Sequence, residues 1–283
     1  MDELKTAVIT GANSGIGFEI SKSLALKKYH IIMVCRNMQK ATRAKEKLLE
    51  ANSEASTEII PADLADQTEV KGTAEKIRKK HDRVDLLINN AGIVPGEREL
   101  TVDGIEKSLA VNHLAPFMLT YMLKDLLKSA KASRIINVAS EAHRAGKFDP
   151  DNFQLEVGYN SLKAYANSKL YNIMFTSELA DRLQNTGTIA FSLHPGTIRT
   201  NLDSGGGGGS LFSFLFKLGK PFMQGPGKGA KPVVYLATES GLEPLNGKYF
   251  KKKKPIRPSG DAEDRGKCRL LWDLSETLTM SWS

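Results

Sequence analysis

Cysteine is scarce: Cys35 and Cys268 are the only two in 283 residues. Two thiols cannot build a disulfide framework or a four-cysteine zinc site, and neither sits at metal-ligand spacing from a histidine. A reducing, cytoplasmic setting is therefore expected. No apolar run nears the roughly 18 residues needed to span a bilayer. Met1-Asp2-Glu3 opens too polar for a signal peptide. There is no internal repeat, and no helix-turn-helix, zinc-finger or aromatic ribonucleoprotein pattern, so nucleic acid is not an expected partner. Hydrophobic residues make up 41% and charged residues 25%, which excludes wholesale disorder. Forty bases against 32 acids leave a net charge of +8. Such an excess suits nucleic acid, an anionic membrane or a phosphorylated small ligand, and its placement has to decide among them.

What is present is an alternation. Apolar runs at Ala7–Ile9, Ile31–Val34, Ile59–Ile60, Leu86–Ile88, Ile135–Val138 and Ile189–Leu193 are separated by stretches of helical character. Continuous apolar strands are those covered on both faces, and strand and helix in alternation imply right-handed crossovers. Asn246 to Phe250 supplies a seventh strand. The fold class is α/β, a doubly wound parallel seven-stranded sheet with helices on both faces. Helices are predicted at about 15–27, 38–51, 66–81, 103–129, 161–184, 227–239 and 262–279. Asp66, three residues before Glu69, has a capping-box-like spacing, and Gly187 follows the long helix that ends near Leu183. Gly205 to Gly209 alone would read as a linker. The roughly 75 residues beyond it carry too few elements for a second core, so one domain spanning 1–283 is expected.

The first apolar run leads into Thr10-Gly11-Ala12-Asn13-Ser14-Gly15-Ile16-Gly17, and a helix follows. Glycine allows a tight turn and close approach of a phosphate, while the helix start offers free N–H groups to a pyrophosphate. The spacing is Gly-x3-Gly-x-Gly. In NAD-binding units an acidic residue closes strand 2 and binds the ribose hydroxyls. Here Arg36 holds that place. Between Ile20 and Lys45 there is no acid, only seven bases: Lys22, Lys27, Lys28, Arg36, Lys40, Arg43 and Lys45. Lys22, Lys27, Lys28 and Arg43 fit a solvated helix face. A guanidinium at the end of strand 2 suits a 2′-phosphate, so NADP(H) is favoured over NAD.

Tyr165 and Lys169 are four residues apart in a helical stretch and share one face. Alone, the pair reads as surface. Ser140, however, ends strand 5 at the edge of the sheet where Gly11 follows strand 1, and could meet that face. A neighbouring ammonium and an oxidised nicotinamide both favour phenolate; three pKa units correspond to about 4 kcal/mol. Tyr165 would then exchange a proton with a substrate oxygen that Ser140 also binds, while hydride passes to or from the carbon. The chemistry is alcohol–carbonyl interconversion.

With these residues in place, the chain resembles the short-chain dehydrogenase/reductase family of Rossmann fold over nearly its whole length. Thr10 to Gly17 matches the family's glycine motif, with Asn13, Ser14 and Ile16 among its cofactor contacts. Asp63 followed by Leu64 matches its adenine-contacting pair, and Asn89-Asn90-Ala91-Gly92 its Asn-Asn-Ala-Gly motif. The resemblance implies that Asn112 maintains a helix kink and a water relay, Ser140 polarises the substrate oxygen, Tyr165 is the acid/base, and Lys169 binds ribose and lowers the tyrosine pKa. Pro195, Gly196 and Thr197 would lie beside the nicotinamide. Cys35-Arg36-Asn37, Val111 to Phe117 and Gly241 to Phe250 are similar to the retinol dehydrogenase-like and WW-domain-oxidoreductase-like branch, many of whose members carry an N-terminal membrane anchor; this chain starts nearly at strand 1.

A lipophilic alcohol, aldehyde or ketone is expected as substrate. Leu202, Leu211, Phe212, Phe214, Leu215, Phe216, Leu218 and Phe222 cluster between about 197 and 227, as a lid or as helix packing against the core. Lys217 and Lys220 beside them would favour peripheral contact with an internal membrane, and a homodimer is carried as a further expectation. The rival to an enzyme is a catalytically idle nucleotide-binding scaffold of the same fold. His30, His81 and His113 have no carboxylate or second histidine at metal or triad spacing and read as packing or surface residues, so no metal is expected. His194 is near the site and structural. Cys35 reads as core and Cys268 as exposable. Lys251 to Lys254 reads as a solvated loop after the last strand.

Overall fold

Strand residues alternate between two apolar layers, which is why their runs read as continuously hydrophobic. Ala7, Ile9, Ile31, Met33, Leu86, Ile88, Ile136 and Phe191 point into one cluster, while Val8, Ile32, Val34, Leu87, Ile135 and Ala190 point into another on the opposite face. The computed structural model describes residues 4–197 and 224–279. The expected lid at about 197–227 and the Gly205–Gly209 tract lie almost wholly outside the described residues.

The strands are β1 (Lys5–Thr10), β2 (Tyr29–Cys35), β3 (Thr57–Pro61), β4 (Leu86–Asn89), β5 (Ser133–Val138), β6 (Thr188–His194), β7 (Tyr249–Lys251) and β8 (Lys254–Ile256). They form one sheet in the order β3-β2-β1-β4-β5-β6-β7-β8. Every neighbouring pair is parallel except β7 and β8. The order reverses between β1 and β4, and the carboxyl ends of those strands open the crevice in which such sheets bind ligands. The doubly wound class is as expected. The strand count differs: Lys251 to Lys254 does not form a free loop but turns a hairpin, with Lys252 at φ 61 and β8 antiparallel to β7.

Helix α1 (Gly15–Ala25) packs against the helix Pro226–Thr238 on one face. On the other face lie α3 (Gln67–Lys80), α5 (Ala115–Met122), α7 (Ser161–Arg182) and the terminal helix Arg265–Thr279, with Trp272 stacked edge-on against Phe117. Helices α2 (Met38–Ala51) and α6 (Lys124–Ser129) complete the crossovers. Asp66 caps α3 by accepting from Thr68 N and Glu69 N, but Glu69 reaches back to Asp63 N rather than to the cap residue.

The helix predicted over 103–129 is interrupted. A short turn α4 (Lys107–Leu109) leads into a π-helical turn at Ala110–Leu114 before α5 begins. Pro116 has no N–H to give the residue four back, and Ala115 N reaches five back to Ala110 O, so the ladder widens by one residue. Asn112 sits in that widened turn.

Candidate active site

At the carboxyl ends of β1, β2, β4, β5 and β6 lies a cleft of about 870 Å³. Its floor is the turn after β1. Gly11 adopts φ 65, and a Cβ at Gly17 would meet Gly11 O at 2.2 Å and Asn90 Nδ2 at 2.6 Å. Only a bare Cα lets the start of α1 come this close to the strand. The second asparagine of the Asn-Asn-Ala-Gly stretch ties the turn down. Asn90 Nδ2 donates to Thr10 O at 2.9 Å, while Asn90 N and Ala91 N both donate to Thr10 Oγ1 at 3.0 Å. The first, Asn89, is buried behind it and donates to Asn137 Oδ1 at 2.8 Å.

One end of the cleft is basic. Arg36 follows β2 and lies 3.7 Å from the carboxylate of Asp63, which follows β3. Asn37 accepts from Lys40 N to start α2, and the Lys40 side chain lines the same cleft. The other end carries Ser140, Tyr165 and Lys169. Lys169 is buried in α7 and donates to the carbonyl of Val138, the last residue of β5, at 2.9 Å. Burial presses its pKa down to about 8. Its Nζ is 5.6 Å from the centroid of the Tyr165 ring. Burial raises the Tyr165 pKa, and the hydrogen bond with Ser140 opposes that. The lowering expected from Lys169 is not produced by the protein groups alone, because desolvation outweighs them.

Asn112 works from behind the cleft. Its amide donates to Ile93 O and Ser168 Oγ, each at 3.0 Å, and its Oδ1 accepts from Ile93 N at 2.8 Å. The widened helical turn thereby holds both the segment following Gly92 and the turn of α7 that carries Lys169. A Cβ on Gly92 would stand 3.2 Å from Lys169 Nζ and 3.5 Å from Asn112 Oδ1.

Gly11, Asn13, Ser14, Gly15, Ile16 and Gly17, then Arg36, Asn37, Asp63 and Leu64, then Asn90, Ala91 and Gly92, and finally Ser140, Tyr165, Lys169, Pro195, Gly196 and Thr197 all line this one cleft. Of the residues expected to bind the cofactor or take part in catalysis, Asn112 alone is not in its wall. Sequence reasoning missed Glu141, Lys251 and the cleft-facing role of Lys40. Glu141 follows Ser140 and accepts from Lys251 Nζ at 2.8 Å and Tyr249 Oη at 3.0 Å. Burial opposes its ionisation, but these two partners outweigh burial and hold the carboxyl down to about 2. Lys251 stands over a hundred residues away, so no spacing could have announced the pair. The adjacent His194 is pushed down to about 4 by burial, which leaves it neutral.

The remaining features divide. His113 is fully buried, donates or accepts at Ser275 Oγ at 2.8 Å, and is held neutral by burial at about 3, a packing role. Cys35 is core at the end of β2. Cys268 is buried as well rather than exposed, and desolvation pushes its thiol up to about 12. His30 and His81 depart from the expectation: the β2–β3 pairing and the end of α3 bring them together with Glu58.

A basic end for a phosphate, a glycine cradle for a pyrophosphate and a Ser-Tyr-Lys end for proton transfer fit a dinucleotide in one extended pose. Residues 5–205 match the family model described as short chain dehydrogenase. Human retinol dehydrogenase 12 is 37% identical over 98% of this chain and 87% of its own length. The chicken WW domain-containing oxidoreductase is 36% identical over 97% of this chain and 68% of its own. Among solved structures, an uncharacterized protein from Mycobacterium paratuberculosis superimposes with a TM-score of 0.79 at 31% identity, covering 98% of this chain and 93% of that one.

Proposed function

The chain belongs to the short-chain dehydrogenase family, as an oxidoreductase of alcohol and carbonyl groups that uses a nicotinamide dinucleotide, and on that premise we propose that its cofactor is NADP(H) and its substrate a lipophilic alcohol, aldehyde or ketone of the retinol/retinal kind. The observation that carries this reading is the convergence of Arg36, the Gly11–Gly17 turn and the Ser140–Tyr165–Lys169 group on one cleft.

When bound, NADP(H) supplies or accepts the hydride. Arg36 would hold the 2′-phosphate, with Lys40 lining the same cleft. Asp63 and Leu64 border the adenine. The N–H groups from Ser14 to Gly17 take the pyrophosphate, and Asn90 holds their turn. Lys169 holds the ribose, and Pro195 to Thr197 border the nicotinamide. Ser140 Oγ and Tyr165 Oη meet at one substrate oxygen: Ser140 orients it and Tyr165 passes it a proton during reduction, or removes one during oxidation. Burial raises the Tyr165 pKa in the free protein and so keeps the phenol protonated, and an added positive charge is what would bring that pKa down towards proton transfer.

The lipophilic substrate class is supported by the apolar residues between 197 and 227 and by the retinol dehydrogenases among the relatives. No described helix is long and apolar enough to cross a membrane; peripheral contact with an internal membrane and a cytoplasmic setting belong to the same proposal. The test is turnover of NADPH over a panel of aldehydes and ketones that includes retinal. Consumption that depends on an apolar carbonyl compound is the expected result. Tight NADPH binding with no turnover on any of them would point to a nucleotide-binding scaffold.

A further inference from the structure

The sheet has a second gathering of chemistry-bearing side chains, at the end away from the cleft. His30 is the second residue of β2, Glu58 the second residue of β3, and His81 closes the carboxyl end of α3. Parallel pairing sets Ile32 opposite Glu58, so the beginnings of the two strands lie side by side. One potential ligand atom from each of the three residues lies within 4.8 Å of the other two, the only such group of metal-ligating side chains among the described residues. The two imidazole rings are 5.4 Å apart between centroids.

The polar atoms here are incompletely paired. His30 Nδ1 is 2.7 Å from Ser56 Oγ, whereas His30 Nε2 is buried and has no hydrogen-bond partner. A buried polar atom without a partner costs about 1–3 kcal/mol. Its ring already shows the arrangement of a metal-bound histidine, with one nitrogen held by an outer oxygen and the other left for an ion. Across the gap, His81 Nε2 is 2.9 Å from Glu58 Oε1, and Glu58 Oε2 is 3.0 Å from Lys80 Nζ. A cation would replace the proton between His81 and Glu58. The Lys80 side chain is 61% exposed and can turn to water.

We propose that His30, Glu58 and His81 bind one divalent transition-metal ion of the zinc type, fastening β2, β3 and the end of α3 together. Two imidazoles and one carboxylate suit zinc, whereas magnesium and calcium favour oxygen ligands alone. Three protein ligands leave a fourth position for water. The role is structural. Six positions along β2 separate His30 from Arg36, about 20 Å at strand rise, so the ion is remote from the cleft.

The experiment uses the full chain, stripped with a chelator and then titrated at about neutral pH with Zn²⁺ against a chromophoric competitor. One equivalent should bind. His30→Gln and His81→Gln should each weaken binding more than about a hundredfold, and Ser56→Ala, which removes only the outer partner of His30, roughly tenfold. His81→Gln keeps a donor for Glu58 and guards against simple unfolding. Saturating Zn²⁺ should raise the Tm of the wild type but not of His81→Gln, Mg²⁺ should raise neither, and NADPH turnover by His81→Gln should match the wild type. Substoichiometric binding, or an unchanged Kd in both histidine variants, would overturn the site.

Discussion

Arg36 and Asp63 stand side by side just past the carboxyl ends of β2 and β3, Nη1 to Oδ2 at 3.7 Å. Both side chains are well exposed, 52% and 36%, so the pair contributes about 1 kcal/mol at most. The guanidinium can therefore turn to a phosphate at little cost. NADPH should bind at least about tenfold more tightly than NADH, and Arg36→Asp should erase or reverse the preference. Titration of both cofactors checks this; equal dissociation constants in the wild type would rule out the assignment.

Lys169 pays for its position. Burial lowers its pKa from 10.5 to about 8, so at neutral pH the unfolded chain holds this proton more tightly than the folded one. Stability linked to this group therefore rises as pH climbs through about 8 towards 10.5. Relative to Lys169→Met, the cofactor-free wild type should gain about 2–3 kcal/mol between about pH 7 and pH 10. Denaturant unfolding of both proteins at the two pH values measures it. A difference that does not change with pH would mean that the ammonium is not desolvated.

Two glycines should respond in opposite directions. A Cβ at Gly17 collides with backbone and with Asn90, whereas one at Gly72, within α3, meets nothing within 4 Å. Gly17→Ala should destabilise by about 1–3 kcal/mol and weaken NADPH binding. Gly72→Ala should stabilise by about 0.5–1 kcal/mol. Thermal melts with and without NADPH separate the two.

These contrasts mark what the amino-acid order makes legible. The glycine turn, Arg36 and the Tyr165–Lys169 face are local patterns attached to apolar strands, and the parallel topology then carries them to one edge. The register of the π-helical turn at Ala110–Leu114 was not legible, since Pro116 two residues into a helix ordinarily marks a start and not a widened ladder. The Lys251–Lys254 hairpin was hidden by its charge: Lys251 is paired with Glu141, and Lys253 lies 5.0 Å from the Tyr235 ring centroid, contacts that arise only in three dimensions. His30, Glu58 and His81 were passed over for the same reason.

Substrate class has its own test. Along a series of straight-chain aldehydes, each methylene that enters an apolar site should add about 0.8 kcal/mol, roughly a factor of four in kcat/KM, until the site is full. A profile that stays flat with chain length would remove the lipophilic substrate and leave the family assignment untouched.

The central claim is that Tyr165 moves the proton. Its phenol lines the same cleft as Ser140, and Lys169 Nζ lies 5.6 Å from its ring centroid. Tyr165→Phe keeps the ring and deletes only the hydroxyl, so the decisive measurement is kcat for NADPH-dependent carbonyl reduction by this variant, alongside its Kd for NADPH. A fall of about 10²–10⁴ in kcat with the Kd nearly unchanged is the predicted result. Retention of more than about a tenth of wild-type kcat would contradict it, because a general acid that matters so little is not the one the reaction uses.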